Sequence, residues 1–403
     1  MQENKKSVVL KNEEQIRPSL KLRILDALGG KFKMLPVIVA LILIWVIFAL
    51  IQPAFLSARN LTNLSIQIVN TAIAATGLFL LLLIGEIDLS VAATGAVCGT
   101  VSAIFSVQLG MPLVVCVLSG MIVGAVIGIM KGWIVTTFRA PAFIVTLGFH
   151  MALNGVLLML LPDEMLISLV GRNISLLTTT FLPSWVSALC IGIIVLIVLF
   201  LCYQTYGQNI KYKLPASLKR GVLYPVIGFA LIGAVVVAGL GLYKGVNLAM
   251  MILVILLLVL YYMCTQTRFG VHLYALGGNT EAVRRTGVNV KRTKMMIFII
   301  SGAVSGLSGI IAASRVQGVS SVSIDQDLQM TAVAAAVLGG ASLRGGQGNV
   351  MGILLGALVM GSITNGLYLV GAPTELRYLI QGLILVLAII LDSSVNVASG
   401  KRG

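Results

Sequence analysis

Long apolar segments dominate the sequence, and they restrict the chain to a small set of folds. A bilayer core about 30 Å thick needs roughly 20 helical residues to cross it, and most of these segments come close to that length. Twelve of them follow one another: Leu35–Ile51, Ile66–Ile84, Val91–Leu109, Pro112–Met130, Ala142–Leu161, Trp185–Tyr203, Val222–Leu242, Val246–Cys264, Met296–Ser314, Met330–Ala341, Val350–Val370 and Tyr378–Leu391. They are continuously apolar, unlike the alternating segments of outer-membrane barrels. The sequence therefore predicts an all-α integral membrane protein, a polytopic bundle of about 12 transmembrane helices.

The composition excludes a soluble fold. Only 10% of the residues are charged, 58% are hydrophobic, and the mean hydropathy is +1.05. A soluble domain carries roughly 25% charged residues, so lipid must cover much of this apolar surface. The net charge of +15 could suggest nucleic acid. However, the basic residues lie beside apolar segments, where they set orientation and attract anionic lipid, so no nucleic acid is expected.

The distribution of Lys and Arg predicts the orientation of the bundle. With the N-terminus inside, 23 basic residues fall on the inner side and 5 on the outer side. Lys131 and Arg139 are assigned to an inner connection in this count. Cytoplasmic connections carry the excess of basic residues, so both termini are predicted inside (N-in, C-in). This requires an even number of spans, so ten and twelve both fit and eleven does not.

The chain divides into three predicted parts. Residues 1–34 form a basic cytoplasmic tail without the pattern of a cleavable signal, 35–392 form the transmembrane domain, and 393–403 form a cytoplasmic C-terminal tail. Within the domain, 265–295 is the longest polar and basic interval, and about 185–242 is a hairpin of two spans.

The connection 265–295 contains the pattern of a short capped helix. Gly277 and Gly278 predict a turn, after which Asn279 or Thr280 can accept the free backbone N–H groups of the first helical turn. A helix of one and a half turns is not stable alone in water. It must therefore pack against the membrane domain or against a partner protein.

The charges of this short helix follow its dipole. Glu281 lies at the positive end, Arg284 and Arg285 lie toward the negative end, and Gly287 ends the helix, as glycine does where a left-handed backbone is needed. The simpler interpretation is a basic loop that only satisfies the positive-inside rule.

The motif GEIDLSV holds the only acids of the first five apolar segments and their connections, Glu86 and Asp88. Because the predicted topology puts them at the cytoplasmic end of two spans, the favoured interpretation is structural. Gly85 ends one helix, and Asp88, assisted by Ser90, caps the next. Alternatives are a role at the inner mouth of a pathway or against a partner, and a proton-coupling acid.

A glycine-rich stretch, GGASLRGGQGNVMG, interrupts the apolar pattern near the C-terminus. It predicts a broken or re-entrant segment whose backbone lines a cavity, at Gly339, Gly340, Gly345, Gly346 and Gly348. The stretch GEIDLSVAATGAVCG shares its order of an apolar run, a glycine break and a helix of small residues, which hints at an internal duplication. Elsewhere, glycines at small-xxx-small spacing predict close helix contacts, as at Gly120, Gly124 and Gly128 and at Gly302, Gly306 and Gly309.

Other chemistry is not indicated. The five cysteines lie in or beside apolar segments without metal-ligand spacing, and the two histidines are far apart, so no metal site is predicted. The sequence has no GxxxxGK[ST], so the chain binds no nucleotide through a P-loop. Polar residues that could line a route for a solute, or form interhelical hydrogen bonds, are Asn70, Thr71, Asn154, Thr331, Asn365 and Gln381.

The sequence ALGGNTEAVRRTGVNVKRTK resembles the cytoplasmic loop of the sugar permeases of bacterial ABC importers, the ribose, xylose, arabinose and galactose group. GEIDLSV and AAVLGGASLRGGQGNVMG match the same family, and the similarity extends from about Phe55 to Asp392. The chain is most similar to the xylose-type permeases, because ribose-type members are about eighty residues shorter and lack the hairpin.

The resemblance implies a function and a set of partners. The short helix becomes a coupling helix that docks an ATPase subunit through Asn279, Thr280, Glu281, Ala282, Arg284, Arg285 and Gly287. Candidates for the pathway or its inner mouth are Glu86, Asp88, Ser90, Asn70, Asn154 and Asn365. Two copies in the bacterial cytoplasmic membrane would carry a monosaccharide by alternating access. This chain would hold no cofactor, since ATP and Mg would bind the ATPase.

The outward connections are short, and the resemblance gives them a partner. Pro162–Ser184 and Arg315–Gln329 are either solvated loops or the docking surface of an extracellular or periplasmic sugar-binding protein. The main alternative is an ion-coupled secondary sugar transporter without an ATPase. The sequence argues against it because the intramembrane charge pairs of such carriers are not evident. In either case the chain is not an enzyme.

Overall fold

The computed structural model describes residues 35–213, 217–323 and 326–398. The predicted N-terminal tail, 1–34, lies outside the described residues, as does the end of the C-terminal tail. In the described part the chain forms fifteen α-helices. They are α1 Leu35–Ile51, α2 Ala58–Leu83, α3 Val91–Val107, α4 Leu113–Phe138, α5 Ala142–Leu160, α6 Leu176–Thr179, α7 Ser184–Lys211, α8 Tyr224–Gly241, α9 Leu248–Gln266, α10 Arg268–Gly278, α11 Thr280–Arg285, α12 Val290–Val316, α13 Gln326–Leu338, α14 Val350–Leu369 and α15 Thr374–Ala398.

Each of the twelve predicted apolar segments coincides with one of these helices, so the prediction of an all-helical membrane fold is confirmed. Eight described helices are long and apolar enough to cross a membrane, and α1, α3 and α13 are shorter apolar helices. Several helices are longer than predicted: α2 begins eight residues before Ile66, and α4 and α7 continue eight residues past Met130 and Tyr203. The structure also adds two unpredicted helices, α6 and α10.

Side chains at the N-termini fix where several helices begin. The Ser57 hydroxyl accepts the backbone N–H of Asn60 at the start of α2, at 3.2 Å. Asn247 and Asn289 cap α9 and α12 in the same way. These caps satisfy N–H groups that have no partner within the helix, which matters most where water is scarce.

The helices divide into an inner and an outer group. In the most apolar 18-residue stretch of α2, 83% of the residues are buried, and the corresponding shares in α12 and α14 are 67% and 72%. By contrast, α7 and α8 are 17% and 6% buried, so their apolar side chains face outward, where lipid must cover them. Helix α2 is therefore the centre of the bundle, and the α7–α8 hairpin lies at its periphery.

Glycine contacts join α4 to α12. The backbones approach so closely that a Cβ atom on Gly306 would lie 2.8 Å from the Gly120 carbonyl oxygen, while one on Gly120 would also lie 2.9 Å from the Cys98 carbonyl oxygen of α3. Gly124 and Gly302 face each other at still shorter range. The small-xxx-small pattern thus marks a real helix contact, in which dispersion forces rather than hydrophobic burial supply the attraction.

Short strands pair the connections at one end of the bundle. β1 (Leu166–Ser168) pairs antiparallel with β4 (Gly318–Ser320), and β2 (Phe181–Leu182) pairs with β3 (Val246–Asn247). The β1–β4 pair joins the two longest predicted outward connections. The other pair fixes the base of the α7–α8 hairpin beside α9.

Candidate functional site

Three sequence motifs meet at the end of the bundle opposite the strands. The backbone N–H of Gly346 donates to the Leu83 carbonyl at 2.8 Å. A Cβ atom on Gly345 would lie 2.8 Å from the Gly85 nitrogen and 3.0 Å from the Gly277 Cα. The GEIDLSV motif, the basic connection and the glycine-rich loop therefore form one contiguous surface, which we call the inner face.

The glycine-rich loop connects α13 to α14 at the inner face. Gly340, Gly345 and Gly346 have positive φ angles of 92°, 83° and 72°, which explains glycine at these positions. Gly339 packs against the α14 backbone, where a Cβ atom would lie 2.7 Å from Gly352.

Tyr274 of α10 holds this loop in place. Its hydroxyl donates to the Gly348 carbonyl oxygen at 3.0 Å. Burial of the ring raises the pKa of Tyr274 to about 12, so the phenol keeps its proton at neutral pH and remains a donor.

Helix α11 projects from the inner face as a short, capped, charged helix. Asn279 is the cap, since its Oδ1 accepts the Ala282 backbone N–H at 2.9 Å. The Thr280 hydroxyl instead donates to the Leu276 carbonyl oxygen at 2.9 Å. Gly287 follows the helix with φ of 84°. The predicted turn at the two preceding glycines is wrong, because Gly277 and Gly278 form the last residues of α10.

The α11 side chains are mostly exposed. Glu281 accepts a hydrogen bond from Arg284 at 2.8 Å and lies 3.6 Å from Arg285, whose side chain is 79% exposed. Ala282 is exposed as well, whereas Val283 is buried against the neighbouring helices. One apolar anchor thus attaches the helix to the bundle, and its basic side chains face outward.

Asp88 forms a buried ion pair that the sequence did not predict. Its Oδ2 accepts a hydrogen bond from the Lys131 ammonium at 2.6 Å, and both side chains are 1% exposed. Its Oδ1 accepts from the backbone N–H and the hydroxyl of Ser90, each at 2.7 Å. The predicted capping of α3 by Asp88 is therefore wrong, because this carboxylate is used by Lys131 and by Ser90.

Two further predictions need correction at this pair. Lys131 is not in an inner connection, because α4 continues for seven residues beyond it. A charge pair buried within the helical bundle is also present, whereas no such pair was evident from the sequence. Lys131 itself was the signal for this pair in the sequence, since a lysine within an unbroken apolar run must have a partner.

Glu86 forms the second ion pair of the motif. It contacts the ammonium of Lys294, with side chains 17% and 20% exposed. Lys294 lies in the first two turns of α12, which is separated from the end of α11 at Arg285 by four residues. The short basic helix is thereby connected to the α2–α3 loop.

Gln329 was missed by the sequence analysis. From α13 its Nε2 donates to the Asp88 carbonyl oxygen at 3.1 Å, while its Oε1 accepts the Ala92 backbone N–H at 3.0 Å. This carboxamide satisfies backbone groups where α3 begins inside the bundle, as the re-entry of a chain into apolar surroundings requires.

Two cavities open between the central helices, away from the inner face. The larger, of about 420 Å³, includes Asn365 in its lining, and the smaller, of about 280 Å³, includes Asn70. The Asn70 Oδ1 accepts a hydrogen bond from Ser308 at 2.8 Å. Asn154, on α5, is half-buried and lines neither cavity. The predicted polar residues are thus spread over several places.

A polytopic helical fold with a charged inner face and polar cavities defines a membrane transport protein. The sequence matches the family model described as "branched-chain amino acid transport system / permease component" over residues 60–389, and the chain belongs to this permease family. It is a multi-pass protein of the bacterial cytoplasmic membrane and not an enzyme.

The chain is similar to permeases of two sugar transport systems. It is 34% identical to the xylose transport system permease protein XylH of Haemophilus influenzae over 366 residues, 89% of this chain and 96% of the relative. It is 36% identical to XylH of Escherichia coli, over 85% of this chain and 87% of the relative. The ribose import permease protein RbsC of Escherichia coli is 30% identical over 88% of this chain and 92% of the relative. No solved structure matches the chain. The resemblance to sugar permeases is confirmed.

Proposed function

We propose that this chain is the membrane-spanning permease subunit of an ATP-driven ABC importer for a monosaccharide, most simply xylose or a related pentose or hexose. Two copies would form the pathway, and it would open alternately to the two sides of the membrane. The relatives named for xylose and ribose transport support the substrate class.

Helix α11 is the observation that carries the ATP-driven mechanism. It is a capped helix of six residues with one buried anchor and outward-facing arginines. Such a helix has little reason to form on a free surface, because the cost of nucleating it exceeds what one buried valine returns. A groove on an ATPase subunit would supply the missing contacts. ATP and Mg would bind that subunit and not this chain.

A sugar-binding protein is the proposed partner at the other end. The paired strands β1 and β4 give the two outward connections a defined shape there. We assign the ends as N-in and C-in with twelve spans, which puts α11 inside and the strands outside. The positive-inside rule and the clustering of the three motifs at one end support this assignment.

Uptake into membrane vesicles tests the proposal. The chain is reconstituted with its ATPase and the sugar-binding protein, and xylose uptake is compared between the wild type and Arg284→Glu/Arg285→Glu. The variant should insert normally and lose at least tenfold in ATP-dependent uptake, because the charge of the docking helix is reversed. Lys213→Glu, a reversal in another exposed basic loop, is the control and should retain uptake. Normal uptake in the double variant would contradict docking through α11.

The alternative, an ion-coupled sugar transporter, is not favoured by the relatives named for xylose and ribose transport systems, although the chain does contain the buried Asp88–Lys131 pair. Carriers driven by ions use such intramembrane charges. The same vesicles decide between the two. Uptake that follows a proton or sodium gradient without ATP would replace the ABC proposal by this one.

A further inference from the structure

A row of carboxamide side chains follows one face of the central helix. Asn60, Asn63, Gln67 and Asn70 are spaced by three, four and three residues along α2, the spacing that places side chains above one another. Polar side chains are costly within a membrane and are retained where they serve packing or function. This row begins at the N-terminus of α2, which lies beside the strands, and it stops in the middle of the helix.

Both cavities lie along this row. Asn60, Asn63 and Gln67 line the larger cavity, of about 420 Å³, and Asn70 lines the smaller one. Arg315, near the end of α12, lines both, so the two cavities are neighbours along α2. The larger volume falls within the range of about 300–1,000 Å³ that is usual for small-molecule sites.

The carboxamides of the larger cavity are held in place by one another. The Asn60 Nδ2 donates to the Asn365 Oδ1 at 2.8 Å, and the Asn365 Nδ2 contacts the Gln67 Oε1 at 3.4 Å. The Asn60 Nδ2 also donates to the Phe55 carbonyl at 2.8 Å. The Asn60 Oδ1 and the Gln67 Nε2 take no part in this chain of hydrogen bonds. The cavity lining therefore includes carboxamides that can both accept and donate hydrogen bonds.

Tyr368 adds an aromatic ring to the lining, and the Arg377 guanidinium stacks 4.0 Å from the centre of that ring. Apart from Arg315, the described lining is neutral, and its carboxamide donors and acceptors beside an aromatic ring match a sugar, whose hydroxyl groups both donate and accept and whose C–H face is apolar. An amino acid would need a carboxylate for its ammonium group. The described lining of the larger cavity includes no Asp or Glu.

We infer that the larger cavity is a binding site for a neutral polyhydroxylated ligand of monosaccharide size within the permease itself. Asn63 and Gln67 contact the ligand, and Asn70 in the smaller cavity is the next polar position inward. Beyond Asn70, α2 is almost entirely apolar and buried down to Leu83, which closes the route on that side. This inference rests on the proposed function, since it names where the carried sugar binds.

Direct binding to the full-length chain in lipid nanodiscs, without ATPase or binding protein, tests the site. Xylose is the probe, measured by saturation-transfer NMR, and leucine is the comparison ligand. The wild type should bind xylose saturably and not leucine. Asn63→Leu and Gln67→Leu should each weaken binding at least tenfold, since they keep the side-chain volume and remove the hydrogen-bonding groups.

Asn154→Leu is the matched control, because it removes a carboxamide that lies outside both cavities. It should bind xylose like the wild type. An absence of xylose binding by the correctly folded wild type would overturn the inference, as would equal binding by the wild type and both cavity variants. Stronger binding of leucine than of xylose would also overturn it.

Uptake assays separate this inference from the proposed function. If ATP-driven uptake persists in the Asn63→Leu/Gln67→Leu double variant, the binding site is wrong while the importer stands. If the wild type binds xylose in nanodiscs but its uptake ignores ATP, the site stands and the ATP-driven proposal fails.

Discussion

At the residue scale, local patterns predicted local geometry and missed distant partners. The capping by Asn279 and the end of α11 at Gly287 followed from neighbouring residues, because a cap depends on contacts a few positions away. The ion pair of Asp88 with Lys131 joins residues 43 positions apart. Such a contact is decided by how α3 and α4 pack, which the sequence pattern does not specify.

Removing one member of this buried pair should destabilise the protein. Asp88→Asn leaves the Lys131 ammonium buried without a counter-charge, which costs about 3–5 kcal/mol in comparable cases. We expect a clear fall in the thermal unfolding midpoint of the detergent-solubilised protein. The double variant Asp88→Asn/Lys131→Met should recover part of that loss, because no buried charge remains.

Glu281→Gln supplies the control for this prediction. Its ion pairs on α11 are exposed, and such pairs contribute about 0–1 kcal/mol. The unfolding midpoint should hardly change. An Asp88→Asn midpoint equal to that of the wild type would refute the structural role of the pair.

At the element scale, apolar length predicted which segments are helices, and glycine spacing predicted one of their contacts. The sequence did not predict α10, because this helix is only eleven residues long and three of its residues are glycines, which disfavour a helix. Nor did it show that α3 begins inside the bundle, where Gln329 from α13 bonds to its first turn. The glycine-rich break between α13 and α14 was recognisable in the sequence. Which helix ends it contacts depends on the packing of the whole bundle and could not be predicted.

The Glu86–Lys294 contact should transmit movement of α11 to the α2–α3 loop. Lys294 lies in the next helix after α11, and Glu86 is the third residue after the end of α2. We expect Glu86→Lys and Lys294→Glu each to lower sugar uptake per ATP hydrolysed by threefold or more. The charge-exchanged double variant should regain much of this ratio, because the pair forms again in the opposite order.

Lys291→Glu is the matched control for the exchange. Lys291 lies on the same helix and is exposed, so its reversal should leave the ratio of uptake to hydrolysis unchanged. A double variant no better than either single variant would show that the contact has no part in coupling.

At the scale of the whole molecule, the structure separates the charged inner face from the opposite end, which carries the paired strands and the polar cavities. Helix α2 connects them, with carboxamides in its first half and buried apolar residues in its second. Composition predicted a membrane protein, whereas the contact between the three motifs at one end of the bundle was not predicted. The positions of the cavities could not be predicted, since they arise from helices far apart in sequence, such as α2 and α14.

The predicted orientation of the molecule can be measured by cysteine labelling. Glu164→Cys, Lys213→Cys and Ala282→Cys, all at exposed positions, are introduced singly after the five native cysteines are replaced. With N-in topology and twelve spans, a membrane-impermeant maleimide should label residue 164 only from outside and residues 213 and 282 only from inside. Lys213 lies between α7 and α8, so its labelling from outside would show that the hairpin does not cross the membrane and would favour ten spans. Labelling of residues 164 and 282 from the same side would refute the orientation altogether, because three spans are expected between them.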